Sequence, residues 1–130
     1  MRKVHLTWPG GDHDFRLRIG ELRSLQQATG AGPEELYQRI NRGHWRIDDL
    51  IQVIRWGLVG AGEMKDGDAA RFVTPLLDLH PLSQFRITAA AILAMTLLPI
   101  EGDPVGEETG ETEMPPESGS SPSSTAPEPS

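Results

Sequence analysis

The stretch Ile47-Asp48-Asp49-Leu50-Ile51-Gln52-Val53-Ile54-Arg55-Trp56-Gly57-Leu58-Val59-Gly60-Ala61-Gly62 decides what kind of chain this is. Ile47, Leu50, Ile51, Ile54 and Leu58 recur at i, i+3, i+4, i+7 and i+11, the spacing of one face of an α-helix. Asp48 or Asp49 is placed to cap the start, where the helix dipole favours a carboxylate. Gly60 and Gly62 punctuate the end. A helix with one apolar stripe has to bury it, so the flanking segments must supply the covering surfaces.

Upstream, Pro33 opens a helix with Glu34 and Glu35 in its first turn, Leu36, Tyr37 and Ile40 facing inward, and Asn41-Arg42-Gly43 at its end. Before it, Gly20-Glu21 opens a short helix whose apolar positions are Leu22, Leu25 and Ala28, followed by Gly30 and Gly32. At the N-terminus the pattern changes to period two. Val4, Leu6 and Trp8 alternate with His5 and Thr7, Pro9-Gly10-Gly11-Asp12 supplies a turn, and Phe15, Leu17 and Ile19 alternate with Asp14, Arg16 and Arg18. This predicts an antiparallel hairpin. A lone hairpin is marginal in water, so its apolar face must pack on the helices.

Downstream, Asp66 and Asp68 offer caps for a helix bearing Ala69, Phe72, Val73, Leu76 and Leu77. Pro75 inside it predicts a kink, or a fresh start capped by Thr74. A last helix begins at Pro81, carries Leu82, Phe85, Ala89, Ile92, Leu93 and Thr96 on one face, and stops at Pro99. Its run from Ile87 to Leu98 is too short for a bilayer span of about 20 residues and reads as a buried core helix. The expected fold class is α+β: an N-terminal β-hairpin packed on a bundle of about five α-helices over residues 1–100, followed by a disordered tail over residues 101–130.

The chain has 130 residues, 12 basic and 19 acidic, for a net charge of −7. Residues 101–130 hold eight of the acids and no base, which leaves 11 acids against 12 bases in the body. Proline, serine and acid fill that last segment, with Val105 and Met114 as its aliphatics. Such a composition cannot bury enough apolar area to offset its ordering entropy. A nearly neutral body excludes a strongly basic nucleic-acid surface. The absence of cysteine excludes disulfides, zinc–thiolate sites, iron–sulfur clusters and a thiol nucleophile. Arg2-Lys3 is followed by alternation, not by the apolar run of a signal peptide, so the expected location is cytoplasmic.

No catalytic constellation survives inspection. His5 and His13 could approach across the hairpin beside Asp12 and Asp14, but the more economical reading puts both on its solvent face. Ser24 and Ser83 lie on helices, away from any nucleophile elbow. Gly57, Gly60 and Gly62 follow a helix and lack the Lys-Ser/Thr of a phosphate loop. Asp66-Gly67-Asp68 lacks the later bidentate glutamate of a calcium loop. The sequence therefore predicts no catalytic residue, no cofactor and no metal, and not an enzyme. Arg39, Arg42, Arg46 and Arg55 are interleaved with Trp45 and Trp56, which suits either single-stranded nucleic acid or a protein contact surface. The second is preferred. Tyr37, Trp45, Arg46 and Trp56 are the candidate partner-binding residues, with core packing as the competing role of the two tryptophans.

Three segments come in a recognisable order: Leu17-Arg18-Ile19-Gly20-Glu21-Leu22-Arg23-Ser24-Leu25-Gln26-Gln27-Ala28-Thr29-Gly30, then Ile47 to Gly62, then Pro81-Leu82 leading into Ala90-Ala91-Ile92-Leu93-Ala94. Over residues 4–100 the chain resembles the gene transfer agent family of small phage-like tail proteins; the acidic tail is no part of the resemblance. The family carries no catalytic residues to transfer. The resemblance implies a part in building the tail of a phage-like particle. Family naming refers to the tail tube, whereas size and place in tail gene clusters look like a tail assembly chaperone. Tail tubes of this kind are stacked rings walled by extensive β-sheet, which one hairpin cannot line. The expectation is thus a non-enzymatic tail assembly chaperone that acts with the tape-measure and tail tube proteins through helix-in-groove contacts. A structural tail tube component and a nucleic-acid-binding accessory domain are the alternatives. Incorporation in a particle and self-association are both compatible with this reading, and no membrane partner is expected.

Overall fold

The computed structural model describes residues 2–99; the expected tail, residues 101–130, lies outside them. The elements are β1 (Val4–Trp8), β2 (Gly11–Phe15), α1 (Ile19–Thr29), α2 (Pro33–Asn41), α3 (Ile47–Gly60), α4 (Asp66–Leu76) and α5 (Leu82–Leu97). This is the α+β arrangement expected, one antiparallel hairpin followed by five helices.

The other helices and β2 all pack on α3. It buries Leu50, Val53, Ile54, Gly57 and Leu58. Ile47 departs from expectation and is 45% exposed. The apolar stripe runs out in the first turn, where Asp49 faces inward in its place. Neither Asp48 nor Asp49 is the N-cap. Arg46 holds that position, and Asp49, three residues on, accepts its backbone N–H at 2.8 Å.

The hairpin turns on Pro9-Gly10, with Gly11 at φ 112°, a conformation glycine adopts without a Cβ penalty. Its register pairs Val4 with Phe15, His5 with Asp14, Leu6 with His13, Thr7 with Asp12 and Trp8 with Gly11. Val4, Leu6, Trp8, His13 and Phe15 therefore share the inner face. The second strand starts earlier and ends sooner than the alternation predicts. Beyond Phe15, the Arg16 N–H donates to the Gly57 carbonyl at 3.0 Å and Arg16 Nε to the Gly60 carbonyl at 2.8 Å. These bonds take the chain off β1 and onto the end of α3. Leu17 is buried outside the ladder, and Ile19 is the first residue of α1, 60% exposed. The crossing is close: a Cβ on Gly60 would collide with the Arg16 carbonyl oxygen, and one on Gly57 would meet Phe15 Cδ1 at 3.0 Å.

In α1 the buried positions are Glu21, Leu25 and Thr29, one turn apart. Ala28, expected inside, is exposed. Thr29 takes the inner place because its hydroxyl is satisfied by the Leu25 carbonyl at 2.8 Å. α2 buries Leu36 and Ile40 as expected. α4 runs through Pro75 and ends at Leu76; no new helix starts at Thr74, whose hydroxyl bonds back to the Ala70 carbonyl at 3.0 Å.

α5 buries Phe85, Thr88, Ala89, Ile92 and Leu93 against α2, α3 and β1. It is not the wholly buried helix that its run of apolar residues predicts. Ile87 is 61% exposed and Leu98, just past its end, 47%. The core is closed by edge-to-face rings, with Trp8 centred 5.8 Å from Phe15, 6.1 Å from Phe72 and 6.3 Å from Phe85.

Candidate functional site

The candidate residues are set out along α3. At its start, Asp49 is wholly buried and bound by two arginines. Arg39 Nη1 reaches its carboxylate at 3.1 and 3.2 Å, and Arg46 adds its backbone N–H and, at 3.3 Å, Nη2. The same Arg46 Nη2 donates to the Thr29 carbonyl at 2.6 Å, tying α3 to the end of α1. Arg39 also pairs with Glu35 at 3.5 Å. Four charged side chains thus form one continuous network joining the end of α1, α2 and the start of α3. Its outer side borders a shallow cavity of about 300 Å³ lined by Glu35, Gln38, Arg39, Arg42 and His44.

Trp45 precedes this network and Tyr37 stands on α2; both are half-buried against the core. Trp56 lies ten residues beyond Arg46, about 15 Å along the helix axis. Its Nε1 donates to Gln52 at 3.1 Å, and the Arg55 guanidinium sits 4.7 Å above its ring. Arg55 is held in turn by Asp66, with Nε at 2.7 Å from the carboxylate. The structure therefore brings Trp45 and Arg46 to the start of α3 and places Trp56 toward its far end. Trp45 and Trp56 both pack on the core and stay half-buried. Of the four clustered arginines, Arg39, Arg46 and Arg55 are engaged by carboxylates, which breaks up the basic stripe a nucleic-acid strand would follow.

The expectation that both hairpin histidines face solvent holds for His5 and fails for His13, which is half-buried on the inner face. The register puts His5 on the outer face and His13 on the inner one, because one residue of offset reverses the face of a strand. His5 Nδ1 lies 2.9 Å from Asp14 Oδ1, and that hydrogen bond raises its pKa above the ordinary histidine value. His13 accepts from Trp8 Nε1 at 2.9 Å. Among the described residues no group of three histidines or carboxylates could hold a metal ion. No described helix is long and apolar enough to cross a membrane.

Two features were missed by the sequence reading. One is the groove of about 380 Å³ beside Trp8, Pro9, His80, Gln84 and Ile87, where the hairpin turn meets the first turns of α5. Counting register back from the Pro-Gly turn would have put Trp8 and His13 on one face. The other is a repeated helix start. Arg18-Ile19-Gly20-Glu21-Leu22 and Arg46-Ile47-Asp48-Asp49-Leu50 have the same pattern, with an exposed isoleucine and a buried acid bound to the preceding arginine in each. Glu21 accepts the Arg18 N–H and Nε, both at 2.9 Å, and Arg18 holds its carboxyl below the ordinary glutamate range against the opposing effect of burial.

A protein-family model described as phage tail tube protein, GTA-gp10, matches residues 2–98. Among curated proteins and solved structures, none matches the chain.

Proposed function

Because the chain belongs to the GTA-gp10 family of phage tail tube proteins, we propose that it acts in tail morphogenesis as an assembly chaperone and not as an enzyme. In this reading it covers apolar segments of the tape-measure protein, or delivers tube subunits to it, before the tail is complete. The observation that carries the reading is the shortage of strand: two five-residue strands form the whole sheet of the described residues. A ring wall built from sheet needs strands paired on both edges, whereas half-buried aromatic side chains with an exposed arginine beside them suit transient binding of a partner helix. Trp45, Arg46, Trp56 and Tyr37 are the contact residues in this account.

Co-expression tests it. The tape-measure protein should become soluble and co-purify with this chain, and Trp45→Ala with Trp56→Ala should reduce the yield of complex. A tape-measure protein that stays insoluble, or never co-purifies, contradicts the proposal. The second reading, a structural component of the tube, is favoured by the family's own description. It requires the chain in finished particles at ring stoichiometry.

A further inference from the structure

The outer side of α5 carries a second apolar stripe, on the opposite side from the one that enters the core. Ile87, Ala90, Ala91, Ala94, Met95 and Leu98 follow i, i+3, i+4, i+7, i+8 and i+11. Ile87 and Leu98 at its ends are the most open, and the four between them are half-buried. No charged residue occurs from Ile87 to Leu98.

We propose that this face is covered by the same face of a second copy of the chain, with the two α5 helices antiparallel about a two-fold axis. The stripe complements itself in size. Set Ile87 of one copy opposite Leu98 of the other, and Ala91 falls opposite Ala94 at the centre, while Ala90 falls opposite Met95. Alanine against alanine allows close approach at the axis, and each large side chain meets a small or a matching one. The ends match in charge as well. Arg86 makes no ion pair or side-chain hydrogen bond among the described residues. The last turn of α5 contains no basic residue to meet its carbonyls. Antiparallel pairing sets each Arg86 beside the partner copy's helix end, where the dipole favours a cation. A parallel pair would put like ends together and leave both carbonyl ends without one. Residues 101–130 carry eight acids and few apolar side chains, a composition unlike that of the uncharged stripe.

The test is sedimentation of the full chain together with cysteine cross-linking. The account expects a species of twice the chain mass of 14.2 kDa, converted to monomer by Ile87→Glu with an unchanged circular dichroism spectrum. The chain has no native cysteine, so introduced thiols report geometry directly. Under mild oxidation the double variant Ile87→Cys with Leu98→Cys should give a covalent dimer, and each single variant should not. A monomer at every concentration overturns the proposal. So does efficient self-cross-linking of the single variants, which marks a parallel pair. A monomer whose α5 variants lose only the binding of a tail partner also overturns it, while leaving the chaperone reading intact.

Discussion

Asp49 and Arg46 close the start of α3 on one another: the arginine supplies the N-cap and the wholly buried aspartate, three residues on, takes back its N–H at 2.8 Å. The buried acid also receives Arg39, so one carboxylate fixes the junction of α1, α2 and α3. Replacing Asp49 by alanine removes the acceptor of the Arg46 N–H and the charged hydrogen bonds, and leaves Arg46 able to turn to water and the more covered Arg39 with Glu35. The expected loss is about 2–3 kcal/mol. Asp49→Asn keeps an acceptor for the Arg46 N–H and should cost less. Urea unfolding would show the midpoint falling in that order with little change in slope.

Gly60→Ala is a test in which two effects oppose. Helix propensity alone favours alanine by about 1 kcal/mol. The new methyl would strike the Arg16 carbonyl oxygen, which is backbone and is fixed by the Arg16–Gly57 hydrogen bond. The steric effect wins, and the expected outcome is a loss of about 1–3 kcal/mol. A raised melting temperature in thermal unfolding would contradict the packing of β2 on α3.

How far the sequence can be read follows from these two sites. The stripe Leu50, Ile54, Leu58 and the alternation Val4, Leu6, Trp8 are local periodicities, and they lead directly to α3 and the hairpin. The burial of Asp49 is not local. It depends on Arg39 arriving from α2, and a carboxylate in a first helical turn has the same sequence signature whether it faces water or the core. The end of β2 is set by carbonyls of α3, more than 40 residues away in sequence, so alternation alone carries the strand too far. For the candidate site, residue type picked out Trp45, Arg46 and Trp56. The distance from Arg46 to Trp56 follows from helix rise, but the half-buried state of the two tryptophans depends on which neighbours cover them, while Arg46 stays exposed.

Glu21 gives a pH dependence of defined sign. Its carboxyl is held below the ordinary value of 4.5 by Arg18, so its contribution is complete above that pH and is lost as pH falls through the lowered folded-state value. Wild type should exceed Glu21→Gln in stability by about 1 kcal/mol at neutral pH. The gap should close during acid titration below pH 4.5. A gap that stays constant into strong acid would contradict the pairing.

His5 has the opposite sign. Asp14 raises its pKa above 6.5, so the interaction is strongest below that value and fades as pH rises through the folded-state pKa. NMR titration should find the His5 ring above 6.5 in the wild type and returned toward it in Asp14→Asn. An unmoved titration would contradict the His5–Asp14 hydrogen bond.

Trp8 ties the hairpin to the helices through its rings and its N–H. Trp8→Phe keeps most of the apolar contact but leaves the His13 acceptor without its 2.9 Å donor, for an expected cost of about 1–2 kcal/mol. Trp8→Ala also opens a cavity beside Phe15, Phe72 and Phe85 and should cost about 3–5 kcal/mol. Thermal unfolding of the two variants separates the polar contribution from the packing one.

The central proposal is that the chain acts on the tail during assembly without becoming its wall. The most direct measurement is quantitative mass spectrometry of purified particles set against the assembling lysate. The account predicts that the chain accompanies tape-measure protein in the lysate and is absent, or far below ring stoichiometry, in finished particles. Its presence in finished particles in fixed proportion to the rings of the tail would contradict the account and make the chain part of the tube.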